Sequence, residues 1–259
     1  VKVDIVPGRG PVMEQAVRSR EDVGKLPQLE TDVPEVTEGI ARILAELTDT
    51  QALIGFVGAP FTLASYLIEG GPSKNHERTK ALMHADPETW HMLMRRLVPT
   101  ITRFLQVQVD AGIDAMQLFD SWAGYLNERD YREFVLPYSR EILAGVEIPR
   151  IHFGVGTGEL LPAMSEAGSE VMGVDYRVPM DAAAERVSAR VLQGNLDPAM
   201  LFAGNDAVRQ AVRTIRSEVD RARERGDIDG HIWNLGHGVL PTTDAEAITR
   251  AVSIIHEEG

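Results

Sequence analysis

The sequence of 259 residues contains no cysteine, and this absence excludes several kinds of chemistry. Disulfide bonds, thiol nucleophiles, cysteine-ligated zinc and iron–sulfur clusters all require that residue. Runs of about 18 uncharged apolar residues, the length of a membrane-spanning helix, are also missing. The first residues lack the basic and apolar regions of a secretory signal peptide. We therefore expect a cytoplasmic protein.

Positive charge is scarce, because 26 Lys and Arg residues stand against 39 Asp and Glu residues and give a net charge of -13. Nucleic acids and anionic membrane surfaces bind clustered positive charge, so we expect neither as a partner. An anionic substrate would be repelled as well unless nearby arginines attract it, since salt screens charges beyond about 8 Å.

Apolar segments typical of strands alternate with longer helical segments, and this alternation predicts β-α units on a parallel sheet. The predicted strands are Leu53–Val57, Ala115–Phe119, Arg150–Phe153, Val171–Val174, Val191–Gln193 and His231–Asn234. Their spacing fits either a doubly wound sheet or an incomplete (β/α)8 TIM-type barrel. Polar and glycine residues that follow several strand ends favour the barrel, where those ends form one active-site face.

Several residues predict where helices and turns begin. Pro60 is placed to begin one helix, and Asp86 is placed to cap another with Pro87 at its first position. Thr243 and Glu246 have the spacing of a capping box for the last helix. The segment 7–11, with two prolines and two glycines, predicts a surface turn.

Tyr66 is the first candidate site residue. It falls within the first two turns of the helix that begins at Pro60, so its phenol is expected near the rim of the strand-end face, where it could bind a carboxylate. The alternative is a tyrosine that packs its ring in the core and satisfies its hydroxyl locally.

A second candidate segment, 117–126, follows the strand at Ala115–Phe119. Alternation along the strand predicts that Phe119 and Ser121 point to the same side, which suits a ligand with apolar rings and polar arms. Alternatively, Asp120 and Ser121 could cap the following turn.

His237 is the third candidate, because Gly236 and Gly238 let the backbone turn sharply after a strand and leave the imidazole uncrowded. The other histidines show no pairing of the kind that a zinc-binding helix requires. The glycine-rich segment 154–158 is a weak nucleotide-binding signal, since Glu159 stands where the dinucleotide fingerprint needs a third glycine.

Three motifs together resemble the uroporphyrinogen decarboxylase family. They are Gly-Phe-x-Gly-x-Pro-Phe-Thr leading to Tyr66 and Glu-Gly-Gly, Gln-Leu-Phe-Asp-Ser-x-Ala-Gly around Phe119, and Asn-Leu-Gly-His-Gly around His237. The resemblance implies a distorted eight-stranded barrel, usually a homodimer, that removes carbon dioxide from four acetate side chains of uroporphyrinogen III to give coproporphyrinogen III in porphyrin and heme synthesis. It implies no metal or organic cofactor.

By motif, Tyr66, Ser121 and His237 match family positions that contact substrate carboxylates or lie near the reacting acetate, and Phe119 matches an aromatic position that lines the cavity. The family also uses amino-terminal arginines and a central aspartate, and neither matches a segment of this sequence. We therefore expect a single barrel domain over residues 1–259 whose amino-terminal part, including its first strand or strands, is missing from the sequence.

Two alternatives remain. A methyltransferase of the same barrel superfamily that handles corrinoid or thiol substrates with zinc would be expected to use cysteine ligands, which are absent here. A non-catalytic barrel that binds a tetrapyrrole is the other.

Overall fold

The structure is a computed structural model, and it describes residues 2–7 and 10–258. Two short strands, β1 (Val3–Val6) and β2 (Gly10–Met13), pair antiparallel. A separate parallel sheet of six strands follows, in which neighbours in the chain are also neighbours in space. Its strands are β3 (Ile54–Gly58), β4 (Ala115–Asp120), β5 (Arg150–Gly154), β6 (Val171–Gly173), β7 (Val191–Gln193) and β8 (Gly230–Ile232).

Helices lie before, between and after the parallel strands, and they cover one face of the sheet. They are α1 (Arg20–Lys25), α2 (Pro34–Glu46), α3 (Pro60–Glu69), α4 (Glu77–Ala85), α5 (Pro87–Asp110), α6 (Glu128–Phe134), α7 (Leu136–Ala144), α8 (Leu161–Ser165), α9 (Met180–Ala184), α10 (Asn205–Glu224) and α11 (Ala245–Glu258). Among the described residues, none of the helices has the combination of length and apolar character that spanning a bilayer requires.

The predicted strands are all present, with ends that shift by at most two residues. Pro60 occupies the first turn of α3, and the Asp86 side chain accepts a hydrogen bond from the Thr89 backbone N–H at the start of α5. The predicted capping box of the last helix is wrong. Because α11 begins one residue later, the Asp244 carboxylate accepts the Glu246 N–H, and the Thr243 hydroxyl is buried without a partner among the described residues. The predicted turn at 7–11 includes Gly8 and Arg9, which lie outside the described residues.

The two faces of the sheet differ in what covers them. One face carries a row of buried side chains in register across the strands, including Val57, Leu118 and His152, and the helices pack against it. The opposite face carries Phe119 and Phe153, whose ring centroids lie 5.9 Å apart. This second face corresponds to the interior of a barrel.

The sheet remains open within the described residues, because β3 and β8 each pair with one strand only. At the β3 edge, the Gln108 carboxamide accepts from the Phe56 backbone N–H and donates to the Phe56 carbonyl, each at 3.0 Å. The Phe56 side chain nevertheless remains 62% exposed. Six parallel strands in barrel order, with helices packed against one face, agree with the predicted TIM-type α/β fold.

Candidate active site

The segments that follow the six strands lie together at the carboxyl ends of the strands, as predicted, because the strands run parallel. Polar and glycine residues follow the carboxyl ends of β4 through β8. They are Ser121, Gly156, Asp175, Asn195 and His237. In barrels of this type, the carboxyl ends of the strands form the face that holds the active site.

Tyr66 lies on α3 with its ring against Trp122, and the two ring centroids are 4.0 Å apart. The side chain is half-buried, and burial raises the pKa of the Tyr66 phenol, so the hydroxyl stays protonated at neutral pH. Among the described residues the Tyr66 hydroxyl has no hydrogen-bond partner, which argues against the core tyrosine with a locally satisfied hydroxyl. The ring also borders a largely apolar cavity of about 590 Å³.

Phe119 lies on the interior face of β4, between the rings of Phe56 and Phe153, with both centroid distances at 5.9 Å. Ser121 directly follows the strand and is half-buried. Its neighbour Trp122 contacts Tyr66, so the structure brings the segments of Tyr66 and Ser121 together.

His237 is exposed after β8, with its Nδ1 atom 3.3 Å from the Gly238 carbonyl oxygen. Gly236 is required by close packing, because a Cβ atom there would lie 2.3 Å from the Tyr176 backbone nitrogen. No hydrogen bond or ring contact among the described residues joins His237 to Tyr66, Phe119 or Ser121. His237 therefore lies at the carboxyl ends of the strands, like the other candidates, but it makes no contact with them.

Comparison with protein families identifies the chain. Residues 1–258 match the family model described as uroporphyrinogen decarboxylase (URO-D). The chain belongs to the uroporphyrinogen decarboxylase family. The uroporphyrinogen decarboxylase of Corynebacterium diphtheriae is 70% identical over 258 residues, which cover 99% of this chain and 75% of the relative. That of Rhodococcus erythropolis is 59% identical and covers 99% of this chain and 73% of the relative.

Solved structures support the fold. A methyltransferase from Methanosarcina mazei superposes with a TM-score of 0.72 over 99% of this chain and 75% of its own, at 17% identity. A B12-independent methionine synthase from Shewanella sp. W3-18-1 gives a TM-score of 0.66 over 99% of this chain and 73% of its own, at 12% identity. At such low identity the likeness concerns the fold alone, and the much closer decarboxylases favour the decarboxylase over the methyltransferase alternative.

In this decarboxylase chain Asp120 has a structural environment that the sequence did not reveal. Its carboxylate is fully buried on the helix-covered face and accepts a hydrogen bond of 3.0 Å from the Thr62 hydroxyl, so Asp120 does not cap the following turn. The same hydroxyl accepts the Trp122 backbone N–H at 3.3 Å. Burial raises the pKa of Asp120 to about 7. The sequence could have indicated this burial through strand alternation, because a residue between Phe119 and Ser121 must face the helices.

The loop after β6 contributes a further pair that sequence reasoning missed. The Asp175 carboxylate, almost fully buried, accepts the backbone N–H groups of Gly156 at 2.7 Å and Arg177 at 2.8 Å, and it binds the Arg177 guanidinium. The glycine-rich segment 154–158 thus offers its central N–H to a carboxylate of the same protein. The sequence could have indicated this pair through Arg177, because an arginine three residues after a predicted strand lies near the strand-end face.

Proposed function

We propose that this chain removes carbon dioxide from the four acetate side chains of uroporphyrinogen III and so produces coproporphyrinogen III in porphyrin and heme synthesis. The observation that carries this conclusion is the family match over residues 1–258, together with 70% identity to a uroporphyrinogen decarboxylase. The substrate is a tetrapyrrole with carboxylate arms, so the site must offer both apolar surface and hydrogen-bond donors.

The candidate residues supply both kinds of surface. We propose that Phe119, with Phe56 and Phe153 beside it, provides an aromatic wall for the pyrrole rings. The protonated phenol of Tyr66 and the hydroxyl of Ser121 donate hydrogen bonds to one substrate carboxylate. His237, in the loop that follows β8, binds another. Hydrogen bonds to a charged acceptor are the stronger ones in proteins.

The reaction is proposed to need no cofactor. A proton added to a pyrrole carbon makes the ring cationic, and the C–C bond to the carboxylate then breaks. Its electron pair flows into the ring as carbon dioxide leaves. A second proton then completes the methyl group, and the first proton leaves the ring carbon to restore the neutral pyrrole. The protein's own groups hold the arms and deliver protons, which is general acid–base work.

Anaerobic incubation with uroporphyrinogen, followed by oxidation and chromatography of the porphyrins, tests the proposal. We expect stepwise loss of carboxyl groups from eight to four. Binding without such loss would instead support a non-catalytic tetrapyrrole-binding barrel, and methyl transfer that depends on zinc would support the methyltransferase.

We further propose that the open edge of β3 accepts another strand of the same single domain, and that the protein acts as a homodimer. Exposed apolar side chains at this edge, Ile54 at 40% and Phe56 at 62%, support the additional strand. Intact mass of the natural gene product and light scattering of the purified protein test the two statements separately. A mass equal to 28.5 kDa would contradict the first, and a monomer mass would contradict the second.

A further inference from the structure

We infer that Arg177 forms a binding subsite for a carboxylate arm that the tetrapyrrole keeps throughout the reaction. This inference rests on the proposed function, since it concerns the same strand-end face. It addresses how a chain of net charge -13 attracts a substrate with several negative charges.

The Arg177 guanidinium is held in place from two sides. It binds the Asp175 carboxylate, whose side chain is only 1% exposed, and it lies 4.3 Å from the centroid of the Tyr176 ring. Asp175 is itself fixed by two backbone N–H groups, those of Gly156 and Arg177. A guanidinium with a buried partner and a ring beneath it loses little conformational freedom when a ligand arrives.

The position of Arg177 is set by its neighbours in the strand-end loops. A Cβ atom at Gly124, three residues after Ser121, would lie 2.7 Å from the Gly156 carbonyl oxygen, so these loops are in close contact. On the other side, Gly236 packs directly against the Tyr176 backbone and is followed by His237. Arg177 therefore lies between the loop that carries Ser121 and the loop that carries His237.

Positive charge is scarce in the segments that follow the strands, although Arg186 on a neighbouring segment donates to the Gly158 carbonyl and pairs with Glu159. The segments that join the ends of β3 to β8 to the helices after them are 59, 121–127, 155–160, 174–179, 194–204 and 233–244, all of them described. Arg177 is the only Lys or Arg in these segments. Its side chain remains 50% exposed. Because a guanidinium carries five N–H donors, the pair with Asp175 leaves others for a second carboxylate.

The chemistry favours an arm that keeps its carboxylate. A tight ion pair stabilises a carboxylate in the ground state, and the reacting acetate must lose that charge as carbon dioxide forms. Pairing the acetate with Arg177 would raise the barrier, because the interaction is weaker in the transition state than in the ground state. A propionate keeps its charge through the reaction, so an ion pair with it strengthens binding in both states equally.

Substitution of Arg177 in the full-length gene product tests the inference. In Arg177→Gln we expect the KM for uroporphyrinogen to rise on the order of 10-fold or more, the loss typical of one charge-assisted hydrogen bond, with kcat almost unchanged. The dissociation constant of coproporphyrin, measured by fluorescence titration, should rise by the same factor because this ligand retains the propionates. Arg177→Lys keeps the charge without the planar fork and should lie between Gln and the natural protein.

Arg190→Gln is the matched control. Arg190 is 53% exposed and pairs with Asp229. It precedes β7 and so lies at the amino ends of the strands, away from the strand-end loops. Its substitution should leave both constants unchanged. Unchanged constants in Arg177→Gln, or a loss for uroporphyrinogen but not for coproporphyrin, would overturn the inference.

Failure of the proposed function would look different. In that case the natural protein itself would not decarboxylate uroporphyrinogen, whereas the coproporphyrin titration would still decide whether Arg177 binds a carboxylate arm. Thermal unfolding of each variant, followed by circular dichroism, separates lost binding from lost folding, and Arg177→Lys provides a second variant with the charge intact.

Discussion

At the scale of single residues, the candidate side chains differ in how firmly the structure holds them. The Tyr66 ring packs on Trp122, so the loop that follows β4 fixes the position of the ring. His237 is exposed and makes only a 3.3 Å contact with the neighbouring Gly238 carbonyl. Tyr66 is therefore the residue at which removal of a single atom has the clearest expected result.

In Tyr66→Phe we expect a loss of turnover of roughly 10-fold or more with the fold intact, since one hydrogen bond to a charged group is removed while the ring stays. Later decarboxylations should slow more than the first. Timed chromatography of the porphyrins with eight to four carboxyl groups measures each step. Tyr138→Phe is the control, because it removes a hydroxyl that contacts His91 Nδ1 at 2.7 Å among the helices. Equal rates in Tyr66→Phe and the natural protein would contradict the assigned role.

At the scale of elements, α3 positions two site segments at once. Thr62 and Tyr66 are four residues apart and therefore share one side of the helix. Thr62 bonds Asp120 and the Trp122 backbone, and Tyr66 packs on the Trp122 ring. The segment after α3 adds His76, which is fully buried with its ring 4.6 Å from Trp122. Trp122 thus contacts two rings, one supplied by α3 and one by the segment that follows it.

We expect His76→Asn to loosen Trp122 and reduce kcat/KM several-fold, because the imidazole that supports the indole is lost. Asparagine tolerates the left-handed backbone at this position, where φ is 51°, so the substitution tests the ring rather than the backbone. Acrylamide quenching of tryptophan fluorescence should increase, and the free energy of unfolding should fall by roughly 1–3 kcal/mol. His84→Asn, a half-exposed histidine on α4, is the control. Unaltered quenching would show that His76 does not hold Trp122.

Elements were more predictable from the sequence than contacts between them. Short apolar segments and Pro60 or Asp86 at helix starts report local preferences, and these predictions are confirmed. The left-handed conformation of His76 could not be predicted, because its buried ring packs against Trp122 and Tyr125 from a distant segment. The role of Arg177 could not be predicted for a related reason. Its contacts with Asp175 and Tyr176 are local, but its position at the site depends on loops from distant strands.

At the scale of the whole molecule, two buried ionisable groups affect stability in opposite directions. Asp120 on β4 and His152 on β5 both lie on the helix-covered face of the sheet. Burial raises the pKa of Asp120 from its ordinary 3.8 to about 7, so the folded state binds this proton more tightly. Burial lowers the pKa of His152 from 6.5 to about 4, so the unfolded state binds that proton more tightly.

The signs follow from linkage, in which stability rises with pH wherever the unfolded state binds more protons. The Asp120 contribution therefore falls as pH rises from 3.8 to about 7. The His152 contribution rises as pH increases from about 4 to 6.5. At about 1.4 kcal/mol per pKa unit, each contribution is at most roughly 3 to 4 kcal/mol. Over the shared range the two nearly cancel.

Asp120→Asn should expose the hidden dependence on His152. We expect the difference in unfolding free energy between Asp120→Asn and the natural protein to increase by roughly 3 kcal/mol from pH 4.5 to pH 6.5. His152→Gln should change in the opposite sense, because only the Asp120 contribution remains. Urea unfolding at fixed pH values measures both, and the remaining carboxylates cancel because each variant is compared with the natural protein at the same pH. Parallel pH profiles for the three proteins would mean that neither group titrates in its buried position.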